Sequence, residues 1–261
     1  MRKLRHIVIF TFLFAVIIAI YYFFILSASQ GNISLSSPEL RHWFGTDING
    51  TDVFMKSVEA FGFEILTLLI VLIIIWFAGI LFGSVTYVIN WKTLQDFFLN
   101  FIHYMATLPI LLIALFLMII FGAGFINSVL ILSISIIPTQ ALFVYNQLQS
   151  AKNEEFLIAK RSYGMSNTAI LRFHLLPFIV KKYNNYTFAR IPEIIMMNLA
   201  LNFLGLGIQE PYSSLGRMLF DGLSFMFSAW WLWVIPTLLV ILIFSFVFQI
   251  KRIIYFKYEN Y

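Results

Sequence analysis

Cysteine is absent from this 261-residue chain, and charge is scarce. Without thiols there is no disulfide framework, no thiolate metal site and no thiol nucleophile. Asp, Glu, Lys and Arg together make up 11% of the residues, against about 25% in soluble domains. The polar surface that a globular protein turns to water is missing. The four histidines, His6, His42, His103 and His174, are scattered and form no HExxH pair. No GxxxxGK(S/T) occurs, so the chain has no loop of its own to cradle ATP phosphates. There is no fixed-period repeat and no long Gly/Ser or Pro linker. These absences exclude a soluble enzyme, a disordered chain and a nucleic-acid binder.

What is present is apolar. Hydrophobic types make up 61% of the chain and the net charge is +5; mean hydropathy is +0.90. In so apolar a chain, Lys and Arg are expected to face a cytoplasm and anionic lipid rather than nucleic acid. A spanning helix needs about 20 apolar residues. Ile7 to Ser27 qualifies and is longer than a signal-peptide core, so it reads as a retained helix. Ile65 to Ile89, Phe97 to Gly122, Phe125 to Ala151 and Trp230 to Ile250 follow, the last with Trp230, Trp231 and Trp233 as an interfacial belt. A less obvious fifth span runs from Asn184 to Leu206 and contains Arg190, Pro192 and Glu193. The expected fold is all-α, an integral membrane protein with six transmembrane helices.

Charge asymmetry orients it. With both termini inside, the inner segments hold Arg2, Lys3, Arg5, Lys92, Lys152, Lys160, Arg161, Arg172, Lys181, Lys182, Arg190, Lys251, Arg252 and Lys257. Only Arg41, Lys56 and Arg217 fall outside, so 14 of the 17 basic residues are inner, as the positive-inside rule requires. The chain is read as a single transmembrane domain. An N-terminal helix plus outer loop occupies 1–57, and a core bundle with an inner loop at 152–182 occupies 58–261.

That inner loop has helical periodicity. Phe156, Ala159 and Tyr163 recur at i, i+3 and i+7. Glu154 and Glu155 stand in the first turn, where carboxylates suit the helix dipole. Gly164 is placed to end the helix in a left-handed conformation. Ser166 can cap a second short helix carrying Ile170, Leu171 and His174, expected to end before Pro177. A helix–glycine–helix loop with basic flanks, Lys160 and Arg161 among them, suits a groove on a partner. An amphipathic hairpin resting on lipid headgroups has the same periodicity.

The residue pattern favours docking. The stretch resembles the EAA loop of ABC importer permeases, with Ala159, Gly164 and the ending His174-Leu-Leu-Pro177 in place; Ile158 and Lys160 depart from that pattern. Two further stretches narrow the resemblance to the dipeptide, oligopeptide and nickel permeases. His42-Trp-Phe-Gly45-Thr46-Asp47-Ile-Asn-Gly50-Thr-Asp52 is similar to HxxGTDxxGRD, with Thr51 for the arginine. Gly45 and Gly50 permit tight turns, and Asp47 and Asp52 can satisfy turn amides. Their spacing is not that of a calcium loop. Leu201 to Gly216 is similar to SFLGLGxQPPxxSWG through Gly205, Gly207, Pro211 and Gly216. The resemblance covers about Arg41 to Ile250.

It implies a type I ABC importer permease fold with cytoplasmic coupling helices, in a bacterial inner membrane. It also implies a second homologous permease chain, two ATPase subunits that carry ATP–Mg, and an extracytoplasmic substrate-binding protein. No cofactor is assigned to this chain. Glu155, Phe156, Ala159, Lys160, Arg161, Tyr163, Gly164, Ile170, His174 and Pro177 would meet the ATPase. The implied cargo is peptide, nickel or a metal–metallophore complex. Arg190 and Glu193, three apart, read as an ion pair that lowers the cost of burying either charge or as lining of the path. Asn198 reads as interhelical glue or path. An intramembrane enzyme would need paired carboxylates or a His cluster, and a passive channel would need no docking loop.

Overall fold

In the computed structural model, residues 33–40, 42–89, 91–151 and 167–258 are described. The first expected span (7–27) and the first half of the inner loop lie outside them. Among the described residues there is no strand, only an isolated antiparallel bridge between Thr46 and Asp52. The helices are α1 Val53–Val88, α2 Lys92–Thr107, α3 Ile110–Phe121, α4 Phe125–Ala151, α5 Asn167–Ile170, α6 Leu176–Ala189, α7 Ile191–Phe203, α8 Leu215–Leu223 and α9 Trp231–Tyr258. A π-helical turn, Leu171–Leu175, joins α5 to α6. The chain divides into two compact units, 1–65 with 202–261, and 66–201.

Among the described residues, three helices are long and apolar enough to cross a membrane: Val53–Val88, Phe125–Ala151 and Trp231–Gln249. The expected third span is different. It breaks into α2 and α3, bent by 97°. The cause is in the sequence: Pro109 donates no amide hydrogen and pushes the preceding residue out of the helical region, and Leu108 is extended at ψ 142°. The fifth span is also broken. Its helical course starts earlier than Asn184, turns at Arg190 and resumes as α7, whose second residue is Pro192.

The inner loop corrects a second expectation. The helix does not end before Pro177. It widens, with the Leu176 amide donating to the Leu171 carbonyl five residues back, and continues through Pro177 to Ala189. A proline ring collides with the carbonyl four residues earlier in a regular α-helix; the wide turn moves that carbonyl away.

Unit 66–201 is held by close helix contact. Tyr183 on α6 is fully buried and its hydroxyl donates to the carbonyls of Ile75 and Trp76 on α1, both at 3.0 Å. Trp76 Nε1 donates to Asn184 Oδ1 at 2.7 Å. Gly79 makes this possible: a Cβ there would stand 2.2 Å from the Tyr183 hydroxyl. Gly83, one turn on, lies against Ala141 of α4, where a Cβ would be 2.6 Å from the carbonyl oxygen. Small residues four apart are a general means of bringing helices together in lipid. Around them Val144, Leu148, Ala151, Ile170, Leu171, Leu175, Ile179 and Tyr183 form one buried cluster.

The other unit gathers the outer segment, α8 and α9. Val53, Ala229, Trp231 and Leu232 are buried together, with Phe44 and Phe225 against them. A Cβ on Gly222 would be 2.7 Å from the Leu232 carbonyl oxygen, so α8 lies directly on α9.

Candidate functional site

The outer motif folds into a knot that satisfies its own backbone. Asp47 Oδ1 accepts from the amides of Asn49 (2.9 Å) and Thr51 (2.8 Å), and its other oxygen pairs with Lys56. Asp52 Oδ1 accepts from the amides of Phe54 (2.8 Å) and Met55 (3.2 Å). It therefore caps α1, since carboxylates at this position satisfy first-turn amides. Asp52 Oδ2 meets His42 Nδ1 at 2.7 Å. Thr46 is buried; its hydroxyl donates to the Ile33 carbonyl, and its carbonyl accepts from Trp231 Nε1 at 3.2 Å. Gly45 has φ +71°, and a Cβ there would be 2.6 Å from the Ser36 carbonyl oxygen and 2.7 Å from Trp231 Nε1. Gly50, at φ +75°, donates its amide to the Asp47 carbonyl. Thr51 stands where the motif pattern has arginine, and the cation that pairs with Asp47 is Lys56.

The end of α7 is a second built turn. Asn202 Oδ1 accepts from the Ile208 amide at 2.7 Å. Gly205 turns the chain at φ +74°. A Cβ on Gly207 would fall 2.1 Å from Asn202 Oδ1, so this glycine is required by close approach. Gln209 Nε2 donates to the carbonyls of Gly205 and Gly207. Pro211 follows a cis peptide bond. Ser214 caps α8, and Gly216 is buried in its first turn.

Arg190 and Glu193 do pair, at 2.7 Å. The pair extends further than the sequence suggested: Arg190 also bonds the Tyr186 hydroxyl and lies 4.9 Å from the centre of its ring. Tyr186 in turn stacks on Phe143 of α4 at 4.0 Å. The turn between α6 and α7 is thus tied to α4. Asn198 is buried on α7.

Of the inner-loop residues, Glu155, Phe156, Ala159, Lys160, Arg161, Tyr163 and Gly164 lie outside the described residues. His174 and Pro177 are half-buried and exposed, respectively. Ile170 does not fit its expected place on a docking face. It is 1% exposed, inside the cluster with Leu148 and Leu175; an aliphatic side chain with apolar neighbours goes to the core before it goes to a partner.

Sequence reasoning missed three members. His42 was visible in the motif, but nothing local showed its bond to Asp52. Trp231 lies 185 residues from Thr46. Glu64 directly precedes the apolar run from Ile65. It sits inside α1 at 2% exposure, on a stripe with Ser57, Ala60, Thr67, Val71 and Ile75, all buried. Extending the helical period back from Ile75 recovers it.

A family model described as "Binding-protein-dependent transport system inner membrane component" matches residues 78–259. The chain belongs to that family. It is therefore a multi-pass inner membrane component of a transport system, and such components are not enzymes. The dipeptide transport system permease protein DppC of Bacillus subtilis is 30% identical over 197 residues, 74% of this chain and 61% of that protein. The oligopeptide transport system permease protein OppC of Haemophilus influenzae is 26% identical over 87% of this chain and 73% of its own length. The chain thus spans less than two thirds of the length of the first of these. Among solved structures, the inward-facing MetNI methionine ABC transporter has a chain that superposes with a TM-score of 0.58 at 17% identity, over 75% of this chain and 94% of that one. The fold is that of a type I ABC importer permease.

Proposed function

We propose that this inner membrane component is one of two permease subunits of an ATP-driven ABC importer whose cargo is peptides. The named relatives that carry dipeptides or oligopeptides support that cargo over nickel or a metallophore complex. In this reading ATP–Mg is held by two cytoplasmic ATPase subunits, and a substrate-binding protein delivers cargo from outside. Both termini and the loop at 152–182 lie in the cytoplasm, as the basic residues suggest. The chain contributes half of the path, and a lever.

One observation carries the lever. The second half of the inner loop is wired into the bundle. Ile170, Leu171, Leu175, Ile179 and Tyr183 are buried with Val144, Leu148 and Ala151 of α4, and Tyr183 bonds α1. Densely packed interiors transmit displacement rather than absorb it. A shift of the loop by a closing ATPase pair would therefore move α1, α4 and α6, which suits rocking between inward- and outward-open states.

The test is Gly164→Val in the assembled transporter. In this reading Gly164 holds a left-handed turn, where a β-branched residue costs about 1–2 kcal/mol, so the loop should tilt while the spans insert normally. ATPase subunits should be lost from detergent pull-downs, and peptide uptake should fall to near background. Full attachment together with full uptake at normal expression would refute the coupling role. Because the chain has no cysteine, single-cysteine labelling is clean. Asn49→Cys should react with an impermeant reagent from outside and Asn153→Cys should not; the opposite pattern would refute the orientation.

A further inference from the structure

The stretch Asn167 to Ala189 carries Arg172, Lys181 and Lys182 and no carboxylate. One side of α6 is spent on the core through Ile179, Tyr183 and Thr187. The opposite side exposes Phe178, Lys181, Lys182 and Phe188, which at about 100° per residue share an arc of about 120°. Phe178 is 42% and Phe188 46% exposed. The cations are laid over rings: Lys182 Nζ is 5.7 Å from the centre of Phe178, and Arg172 Cζ is 5.5 Å from that of Phe173. Lys182 therefore turns back along the helix toward its N-terminal end. In the orientation proposed above, on which this placement rests, that end is the cytoplasmic one. Lysines near a membrane surface turn in this way, keeping the stem on apolar groups and the ammonium among headgroups. Phe188 stands six residues further along, about 9 Å deeper, at the level of acyl chains.

We propose that this face binds an anionic phospholipid of the inner leaflet. Its phosphodiester is held by Lys181 and Lys182, and its acyl root lies on Phe188. Phe178 and the Arg172–Phe173 pair form the rim toward the cytoplasm. Cations at one depth and an exposed ring about 9 Å deeper match an amphiphile. An acidic protein surface would match the cations alone. A choline headgroup would bring its own ammonium against the lysines, whereas a glycerol headgroup leaves the phosphate charge uncompensated.

Native mass spectrometry of the purified full chain, titrated with phosphatidylglycerol or phosphatidylcholine of identical acyl chains, tests the site. Two lysines beside an anionic headgroup should favour phosphatidylglycerol by about tenfold or more. K181Q/K182Q should reduce that preference to within about twofold, and K181R/K182R should keep it, because the attraction follows charge. Should the double glutamine variant fail to elute as a folded species, K182Q alone is read, with an expected loss of about threefold. Glycerol 3-phosphate at equal concentration should displace nothing. The proposal is overturned if the native chain shows no preference, if folded K182Q or K181Q/K182Q retains it in full, or if glycerol 3-phosphate competes. It is also overturned if the glutamine variants keep lipid selectivity yet lose the ATPase subunits in pull-downs, since the face would then be a protein contact. Labelling of Lys182→Cys from outside would overturn the inner-leaflet placement.

Discussion

Segment 33–56 and segment 167–190 are both bent, both polar at intervals, and held together in opposite ways. In the first, side chains satisfy backbone close by: Asp47 bonds amides two and four residues on, and Asp52 those two and three on. Its long-range tie is Trp231 to Thr46. In the second, the backbone satisfies itself within helices, and the shape comes from what is buried. Tyr183 reaches α1, and Ile170 to Ile179 pack on α4. A local knot can form before the rest of the unit; a packed elbow exists only with its neighbours in place. The two should therefore fail differently.

The largest effect is expected at the elbow. Gly79→Val would drive a side chain into the Tyr183 hydroxyl, where even a Cβ stands at 2.2 Å. Overpacking of this kind typically costs about 1–3 kcal/mol, and here it also separates α1 from α6. Loss of monodisperse elution and of transport is expected, while Gly62→Ala, with nothing within 4 Å, should behave as the parent. An unaltered melting temperature for Gly79→Val would mean that α1 does not approach α6 this closely.

At the knot the expected loss is smaller and confined. Asp52→Ala removes the cap of α1 and the partner of His42, and capping changes of this kind cost about 1–2 kcal/mol. Proteolysis in detergent should nick the chain near 47–55 at rates several-fold above the parent, with the melting temperature of the remainder little changed. A cooperative loss of the whole fold would erase the distinction between knot and elbow.

The smallest effect marks the floor of both. Arg217 and Asp221 pair at 3.0 Å on the surface of α8, each nearly half exposed. Exposed pairs contribute about 0–1 kcal/mol, so Arg217→Gln should leave melting and uptake within error. A marked drop in either would show that Arg217 acts on something other than Asp221.

The same contrast explains what the amino-acid sequence disclosed. The helix over Phe125–Ala151 was readable because its apolar residues, though interrupted by Ser, Asn, Gln and Pro138, extend far enough to cross a membrane. The turns at Asp47 and Asp52 were readable because their chemistry is local. The break at Leu108–Pro109 was in plain view but subordinate to hydropathy, which scores the run and ignores its punctuation. Glu64 lies one residue before the apolar run that begins at Ile65, so hydropathy did not single it out, although its neighbours at helical spacing are all buried. Ile170 was assigned to a partner because its loop resembles a docking loop, and residue type alone does not say which apolar side chains turn inward. The contact of Gly207 with Asn202 and that of Trp231 with Thr46 are matters of tertiary approach, and no window of sequence holds both partners of the latter.

The wide turn at Leu171–Leu175 has a consequence best put in genetic terms. It accommodates one residue more than an α-helical turn over nearly the same path, so it absorbs a codon without changing the aim of what precedes it. An in-frame deletion of Arg172 would close it to an ordinary α-helical turn and leave Asn167–Ile170 facing within about 10° of where they face now. With Ile170→Cys as a reporter in this cysteine-free chain, the thiol, buried at Ile170, should be protected in the parent and in the deletion alike. Deletion of Val180 from the regular helix α6 should rotate everything before it by about 100° and expose the thiol. A thiol made reactive by loss of Arg172 would show that the wide turn does not absorb its extra residue.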